Sequence, residues 1–265
     1  MPLDLPCFIG TYTAELSHRQ VTRVIQWTRV IIRSGSGQHL LIRQSDHAAL
    51  AARIMRAWRR DGLPRSPRRD VILLATQCHD DGWIDLDRAP LFDETTGQLL
   101  DYLHAPDEIR RTIWPRGVAA LSAHPYAAAL VAQHALHLFD RYRTEATWRD
   151  FFTQMERLRA EQLAAAAPQT DDDLRADYAF VRMGDLLSLQ FCDDWYEPQA
   201  DGPYMSTWDG ERLTVTPDPF DGSEVPLTVT GRRLTVQMFA SGAQLALAFD
   251  VAPIVTLTGV ASGPR

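Results

Sequence analysis

Apolar positions recur every three to four residues through the middle of the chain and every second residue towards its two ends. Leu50, Ile54 and Trp58 step by four and predict a helix over Gln44–Asp61, with Ser45 as its N-cap and Gly62 and Pro64 as its stop. Val71, Leu74, Ala75 and Cys78 fall at i, i+3, i+4 and i+7 and predict a second helix, which runs into His79-Asp80-Asp81-Gly82-Trp83. Pro125 suits the first turn of a third, through about Asp140. Thr144–Ala165 predict a fourth with Thr144 as cap, and Asp171–Asp173 cap a fifth that runs to about Trp195. Trp27–Arg33 and His39–Arg43 are β-rich, and the Ser34-Gly35-Ser36-Gly37-Gln38 stretch between them reads as a hairpin turn. After Pro198 come short β-type runs: Leu213–Thr216, Leu227–Val229, Leu234–Met238, Leu245–Phe249 and Ile254–Thr258. They form either a small appendage or strands that pair with the hairpin. Asp81–Arg111 carries no clear period and reads as a long acidic loop, a length that compact domains keep for function. The expected organisation is an extension over 1–26, a helical domain with a leading hairpin over 27–197 and a small β-rich region over 198–265.

Composition changes this picture little. With 265 residues, 45% hydrophobic and 23% charged, the chain can bury a sizeable core. Its net charge of -7 argues against a nucleic-acid binder, which shows a basic patch or stripe. The arginine-rich stretch Arg53–Arg69 reads as a solvated helix end and loop. The glycine-rich turn is not followed by Gly-Lys-Ser/Thr, so it is no phosphate-binding loop. Cys7, Cys78 and Cys192 are odd in number and lack CxxC spacing, which points to a reducing compartment. Residues 1–26 show no signal-peptide pattern, and apolar runs such as Val71–Ala75 and Ala127–Ala132 are too short to span a bilayer. A cytoplasmic protein without a membrane partner is expected.

Three polar positions break the apolar stripes. His47 lies three residues before Leu50, on the same inward face. By itself it reads as a satisfied core histidine as readily as a ligand. His79 and Asp80 end the second helix, where adjacent side chains can converge on one point. Asp185 continues the stripe Leu174, Tyr178, Val181 and precedes Leu189 and Cys192. A buried carboxylate there needs a salt bridge, hydrogen-bond donors or a metal. Imidazole plus carboxylate suits Fe, Mn, Zn, Ni or Co, and the lack of thiolates disfavours a structural zinc site.

The order His, then His-Asp, then a distant Asp resembles the HD superfamily of metal-dependent phosphohydrolases. Here it reads Gln44-Ser45-Asp46-His47, then Cys78-His79-Asp80-Asp81-Gly82-Trp83, then Gly184-Asp185-Leu186-Leu187-Ser188-Leu189. The wording is similar to one uncharacterised bacterial family of HD-like proteins, from about Trp27 through Pro217-Asp218-Pro219-Phe220 to the C-terminus. The resemblance implies a mainly α fold, an HD-type helical bundle with an N-terminal β-hairpin and a small C-terminal β-rich appendage. It implies His47, His79, Asp80 and Asp185 as ligands of one or two divalent transition-metal ions. HD-like enzymes with two metals use further histidines; of His104, His124 and His134, His134 stands first, sharing a face with Tyr126 and Leu130, and His124 second. Both also read as pocket lining. Asp81 is the candidate catalytic base or water-positioning group, and a solvated helix-end carboxylate otherwise. Trp83 either walls the site or simply packs.

The leading expectation is a metal-dependent hydrolase acting on a small phosphate ester through a metal-activated water. No basic cluster flanks the ligand motifs, although Arg53, Arg56 and Arg116 can approach in a fold. A di-iron oxygenase of the HD-like type and a non-catalytic metal-containing binding protein are the alternatives. No Gly-x-Ser-x-Gly elbow and no Rossmann fingerprint is present.

Overall fold

The computed structural model describes residues 30–35, 37–84, 91–93 and 95–265. The extension expected over 1–26, the first three residues of the Trp27–Arg33 run, and Cys7 lie outside the described residues.

The chain opens with a hairpin, β1 (Val30–Gly35) and β2 (Gln38–Arg43), and passes directly into α1 (Gln44–Ala57). A short 3-10 turn over Leu63–Arg65 leads to α2 (Arg69–Cys78), and a second over Asp81–Trp83 follows. A two-stranded ribbon, β3 (Leu91–Phe92) and β4 (Leu99–Leu100), precedes α3 (Asp107–Ala120), α4 (Pro125–Leu138), α5 (Arg149–Ala165) and the long α6 (Asp171–Cys192). Four strands and a helix complete the chain: β5 (Gln199–Asp201), β6 (Tyr204–Trp208), β7 (Arg212–Thr216), β8 (Val225–Thr235), α7 (Gly242–Val251) and β9 (Ile254–Ser262).

The strands join in one seven-stranded sheet of order β1-β2-β8-β9-β7-β6-β5. Only β7 and β9 run parallel. The expectation of a mainly α, all-helical bundle with a small β appendage is therefore corrected: about 50% of the described residues are helical, 21% are strand, and the sheet is large, mixed and curled. The tail strands pair with the hairpin, β8 against β2 with Leu40 opposite Arg233. Isolated two-stranded hairpins are marginal in water, and this pairing completes the hairpin's hydrogen bonds.

Alternation explains how the sheet sits. Along β8, Val225, Leu227 and Val229 point to the helices and Pro226, Thr228 and Thr230 to solvent. At the hairpin both faces are covered: Ile31 and Ile42 enter the main core, whereas Val30 and Leu41 pack with Leu245 and Phe249 of α7. Two-sided burial is why the sequence there is continuously apolar instead of alternating. The main core runs without a break from Leu50, Trp58 and Phe191 to Leu213, Leu227 and Ala261.

Several element expectations also change. Leu245–Phe249 lies in helix α7, not a strand; Ser241 caps it by accepting from the Gln244 N–H. The Leu-Ala-Leu-Ala run fits both periods, and leucine and alanine favour helix. The stretch Asp81–Arg111 is not all loop, because α3 begins at Asp107, with Pro115 and Gly117 inside it masking its period. Thr144 does not cap α5, which starts at Arg149 after a 3-10 turn over Ala146–Trp148. Thr170, not the aspartates, caps α6, in a reciprocal capping box with Asp173. Ser45 lies inside α1, which starts at Gln44 and ends at Ala57. Among the described residues no helix is long and apolar enough to cross a membrane.

Candidate metal centre

Two glycines decide how closely the ligand-bearing elements approach. A Cβ on Gly184 would stand 2.8 Å from Met55 Cγ and 2.9 Å from Thr76 Cγ2. Its absence lets α6 press against α1 and α2 and delivers the next residue, Asp185, to their histidines. A Cβ on Gly82 would stand 2.2 Å from the Ile113 carbonyl oxygen. The Asp81-Gly82-Trp83 turn is thus laid flat on α3, where Gly117 in turn faces the Gly82 backbone.

Four side chains meet in the pocket so formed, all buried: His47, His79, Asp80 and Asp185. His47 Nε2 lies 3.0 Å from Asp80 Oδ2 and 3.5 Å from Asp185 Oδ1. His79 Nε2 lies 3.3 Å from each of the same two oxygens. Ligand atoms about 2.1 Å from a shared ion stand about 3.0 Å apart at octahedral angles and about 3.4 Å apart at tetrahedral ones. The donor set therefore has the spacing of a metal site.

Hydrogen bonds behind the ligands select their tautomers. His79 Nδ1 is 2.7 Å from the Thr76 carbonyl, which can only accept, so Nδ1 carries the proton and Nε2 faces the carboxylates. The Ser188 hydroxyl donates to the Asp185 carbonyl at 3.0 Å and so accepts from His47 Nδ1 at 2.7 Å. His47 Nε2 turns inward, where it bonds to Asp80 Oδ2 at 3.0 Å. The Trp83 indole N–H donates to Asp80 Oδ1 at 3.1 Å and aims Oδ2 at both imidazoles. Outer partners of this kind are what fix metal ligands.

The electrostatics of the cluster ask for a cation. Burial works against the charge on His79, yet the Asp80 and Asp185 carboxylates outweigh it and hold the imidazole well above its ordinary pKa. Burial likewise opposes ionisation of Asp80 and Asp185, and the facing imidazoles overcome it and lower both. His79 Nε2 is nevertheless buried with no hydrogen bond of good geometry. A divalent ion would take the place of the proton that these carboxylates otherwise hold on His79.

His134 forms a second group with His79 and Asp185, its Nε2 3.6 Å from Asp185 Oδ2. Burial first, then the charge of His79, lowers its pKa to about 4, so it is neutral near pH 7 and its lone pair is available. The Tyr178 hydroxyl lies 3.1 Å from its Nδ1. The rings of His47, His79 and His134 stand edge to face at 5.0 and 4.9 Å, and Trp114 walls the far side, 5.7 Å from His134.

The remaining expected site residues fall elsewhere. His124 is exposed at the N-cap of α4. Ten residues at 1.5 Å each put it about 15 Å along the helix from His134, too far to share an ion. His104 is exposed and bonded to Asp101 at 2.6 Å. Asp81 is half-buried in the turn after the ligand pair. Trp83 is a core residue that also orients a ligand. Ser188 and Thr76 were not singled out in the sequence, although the i+3 spacing of Asp185 and Ser188 carries a signal, since it places both on one face.

Residues 30–236 match the family described as protein of unknown function, DUF3891. The chain belongs to that family. Its matched region carries all five clustered residues, His47, His79, Asp80, His134 and Asp185. Neither a search of the curated proteins nor one of the solved structures found a match for this DUF3891 chain.

Proposed function

We propose that this DUF3891 protein is a metal-dependent hydrolase of the HD-like type, holding one divalent transition-metal ion and acting on a small phosphate ester. The observation that carries the reading is that each of the two inward Nε2 atoms lies 3.0–3.5 Å from both inward carboxylate oxygens, with hydrogen bonds from behind holding the rings. His47, His79, Asp80 and Asp185 would hold the ion. Bound there, it would polarise a phosphoryl oxygen and lower the pKa of a water. The chain's own part is to keep both Nε2 lone pairs and both carboxylates aimed inward, to exclude bulk water with Trp114 and Trp83, and to offer Asp81 as proton acceptor. His134 is positioned as a further ligand or as a neutral donor at the pocket wall.

A single ion is favoured over two. His79 Nε2 has one lone pair and belongs to both candidate groups, so they cannot each be filled in full. The six-ligand di-iron alternative counts on His124 as well as His134, and the distance along α4 speaks against it. The test is elemental analysis of untagged protein beside His79→Ala and Asp185→Ala, followed by turnover of p-nitrophenyl phosphate and bis-p-nitrophenyl phosphate. One equivalent of metal, lost in both variants together with activity, is expected. Metal-free wild type after reconstitution would sink the reading. Retained metal without turnover of either ester would leave only the non-catalytic role.

A further inference from the structure

A second polar feature lies on the opposite side of α1. A groove with a volume of about 870 Å³ runs between α1 and β8, within the size range of small-molecule sites. Arg53, Arg56 and Arg59 stand along it. Among the described residues none of the three has a carboxylate within ion-pair distance, whereas neighbouring Arg60 is paired with Asp221 at 2.9 Å. Asp46 is the one acid lining the groove. In a chain of net charge -7, a cationic recess with a single acid stands out.

The three arginines are not equivalent. Arg59 turns back on the helix end, donating from Nη1 to the Arg56 carbonyl at 3.1 Å. Arg53 donates from Nη2 to the Thr228 carbonyl, which ties α1 to the exposed side of β8 and fixes the guanidinium at the groove wall. Arg56 has no described side-chain partner. Burial against the strand lowers the Arg53 pKa; the Asp46 carboxylate opposes this in part, and the like charge of Arg56 adds to it. Between the arginines the walls are apolar, from Ala49, Ala57, Pro226 and Val229.

We propose that this groove binds a small organic anion: a compact dianionic head, phosphate or phosphonate, carried on an apolar body. Guanidinium forks match tetrahedral oxyanions in pairs of parallel hydrogen bonds, and Arg53 and Arg56 are one helical turn apart, so both can reach one head group. The apolar walls suit the body. The site is separate from the His/Asp cluster, because six residues along α1 place Arg53 about 120° round the helix from His47. It does not depend on the hydrolase reading.

The test is calorimetric titration of the metal-loaded protein with 1-naphthylphosphonate, whose carbon–phosphorus bond a phosphoesterase does not cleave. Inorganic phosphate and 1-naphthol serve as the head and the body alone. One equivalent of the phosphonate beyond any taken up at the metal centre should bind, about tenfold more tightly than inorganic phosphate, with 1-naphthol not detected. The double variant Arg53→Gln/Arg56→Gln should lose at least about tenfold in affinity. So should Thr230→Glu, which puts a negative charge on the solvent side of the strand wall and leaves the arginines in place. His79→Ala and chelator-treated wild type should keep this groove equivalent at unchanged affinity. The proposal is overturned if the wild type binds no phosphonate, if all binding follows the metal, or if both groove variants, checked for unchanged Tm, bind like the wild type.

Discussion

Ser188 holds the outer nitrogen of the His47 ring at 2.7 Å, while Asp80 faces the inner one at 3.0 Å. Ser188→Ala should fold normally yet weaken metal affinity by about 10–100-fold, the usual cost of losing an outer partner; competition against a chelator of known affinity measures it. An unchanged affinity would mean that His47 is not a ligand through Nε2. Asp193 supplies a pH test outside the candidate ligand set, although the His47 imidazole lies near enough to lower its pKa slightly. Burial pushes its carboxyl up to about 6, against the hydroxyl of Tyr102, which donates to it at 2.9 Å. An acid whose folded pKa is raised adds stability that is fully present below its unfolded value, 3.8, and is lost as pH rises through the folded one. Relative to Asp193→Asn, the wild type should therefore gain Tm as pH falls from about 7 to about 4, at fixed saturating metal. A constant difference between the two would refute the burial argument. At this scale the buried His/Asp cluster was legible from sequence, because a charged side chain on an apolar stripe has few inexpensive explanations. The partners of those ligands were not, since a carbonyl such as that of Thr76 carries no side-chain signature.

Helix packing gives Gly184 its purpose. Gly184→Ala would drive a methyl into Met55 and Thr76 and push α6 off α1 and α2. The expected cost is about 1–3 kcal/mol, seen as a lower denaturation midpoint, with reduced metal content because Asp185 moves with the helix. Gly35→Ala is the control: the nearest atom to its added Cβ is the Gln38 carbonyl oxygen at 3.9 Å, and metal content should not change. Elements were legible where one period dominated, as in α1, α2, α4 and α6. They were not where breakers lay inside a helix, as Pro115 and Gly117 do in α3, or where alternation and helical period coincided, as in α7. Thr170 as the cap of α6 was within reach, because Thr followed three residues later by Asp permits the reciprocal box.

The sheet ties the two ends of the described chain together across the helices. Cutting the chain after Pro198 would remove β8, which pairs with β2 on the side away from β1, and strip Tyr204, Trp208, Leu213 and Leu227 from the core. Loss of the cooperative thermal transition is expected, read by circular dichroism; a stable 1–198 fragment would show that the helices carry a core of their own. Metal removal acts on the same global equilibrium, since an ion that binds only the native state at 100 times its Kd adds about 2.7 kcal/mol. A chelator should therefore lower Tm in the wild type and leave it unchanged in His79→Ala. The residue pattern alone told which residues seek the interior, where α1, α2, α4 and α6 lie, and that two imidazoles and two carboxylates compete for burial. These follow from local periodicity and from the cost of hiding charge. Contacts between distant segments settle that the tail strands pair with the hairpin in one seven-stranded sheet, that His134 joins the cluster while His124 stays outside, and that Arg53 and Arg56 face a groove. Each of these depends on which distant segments come together, and pairing between strands far apart in sequence leaves no mark on the period of either one.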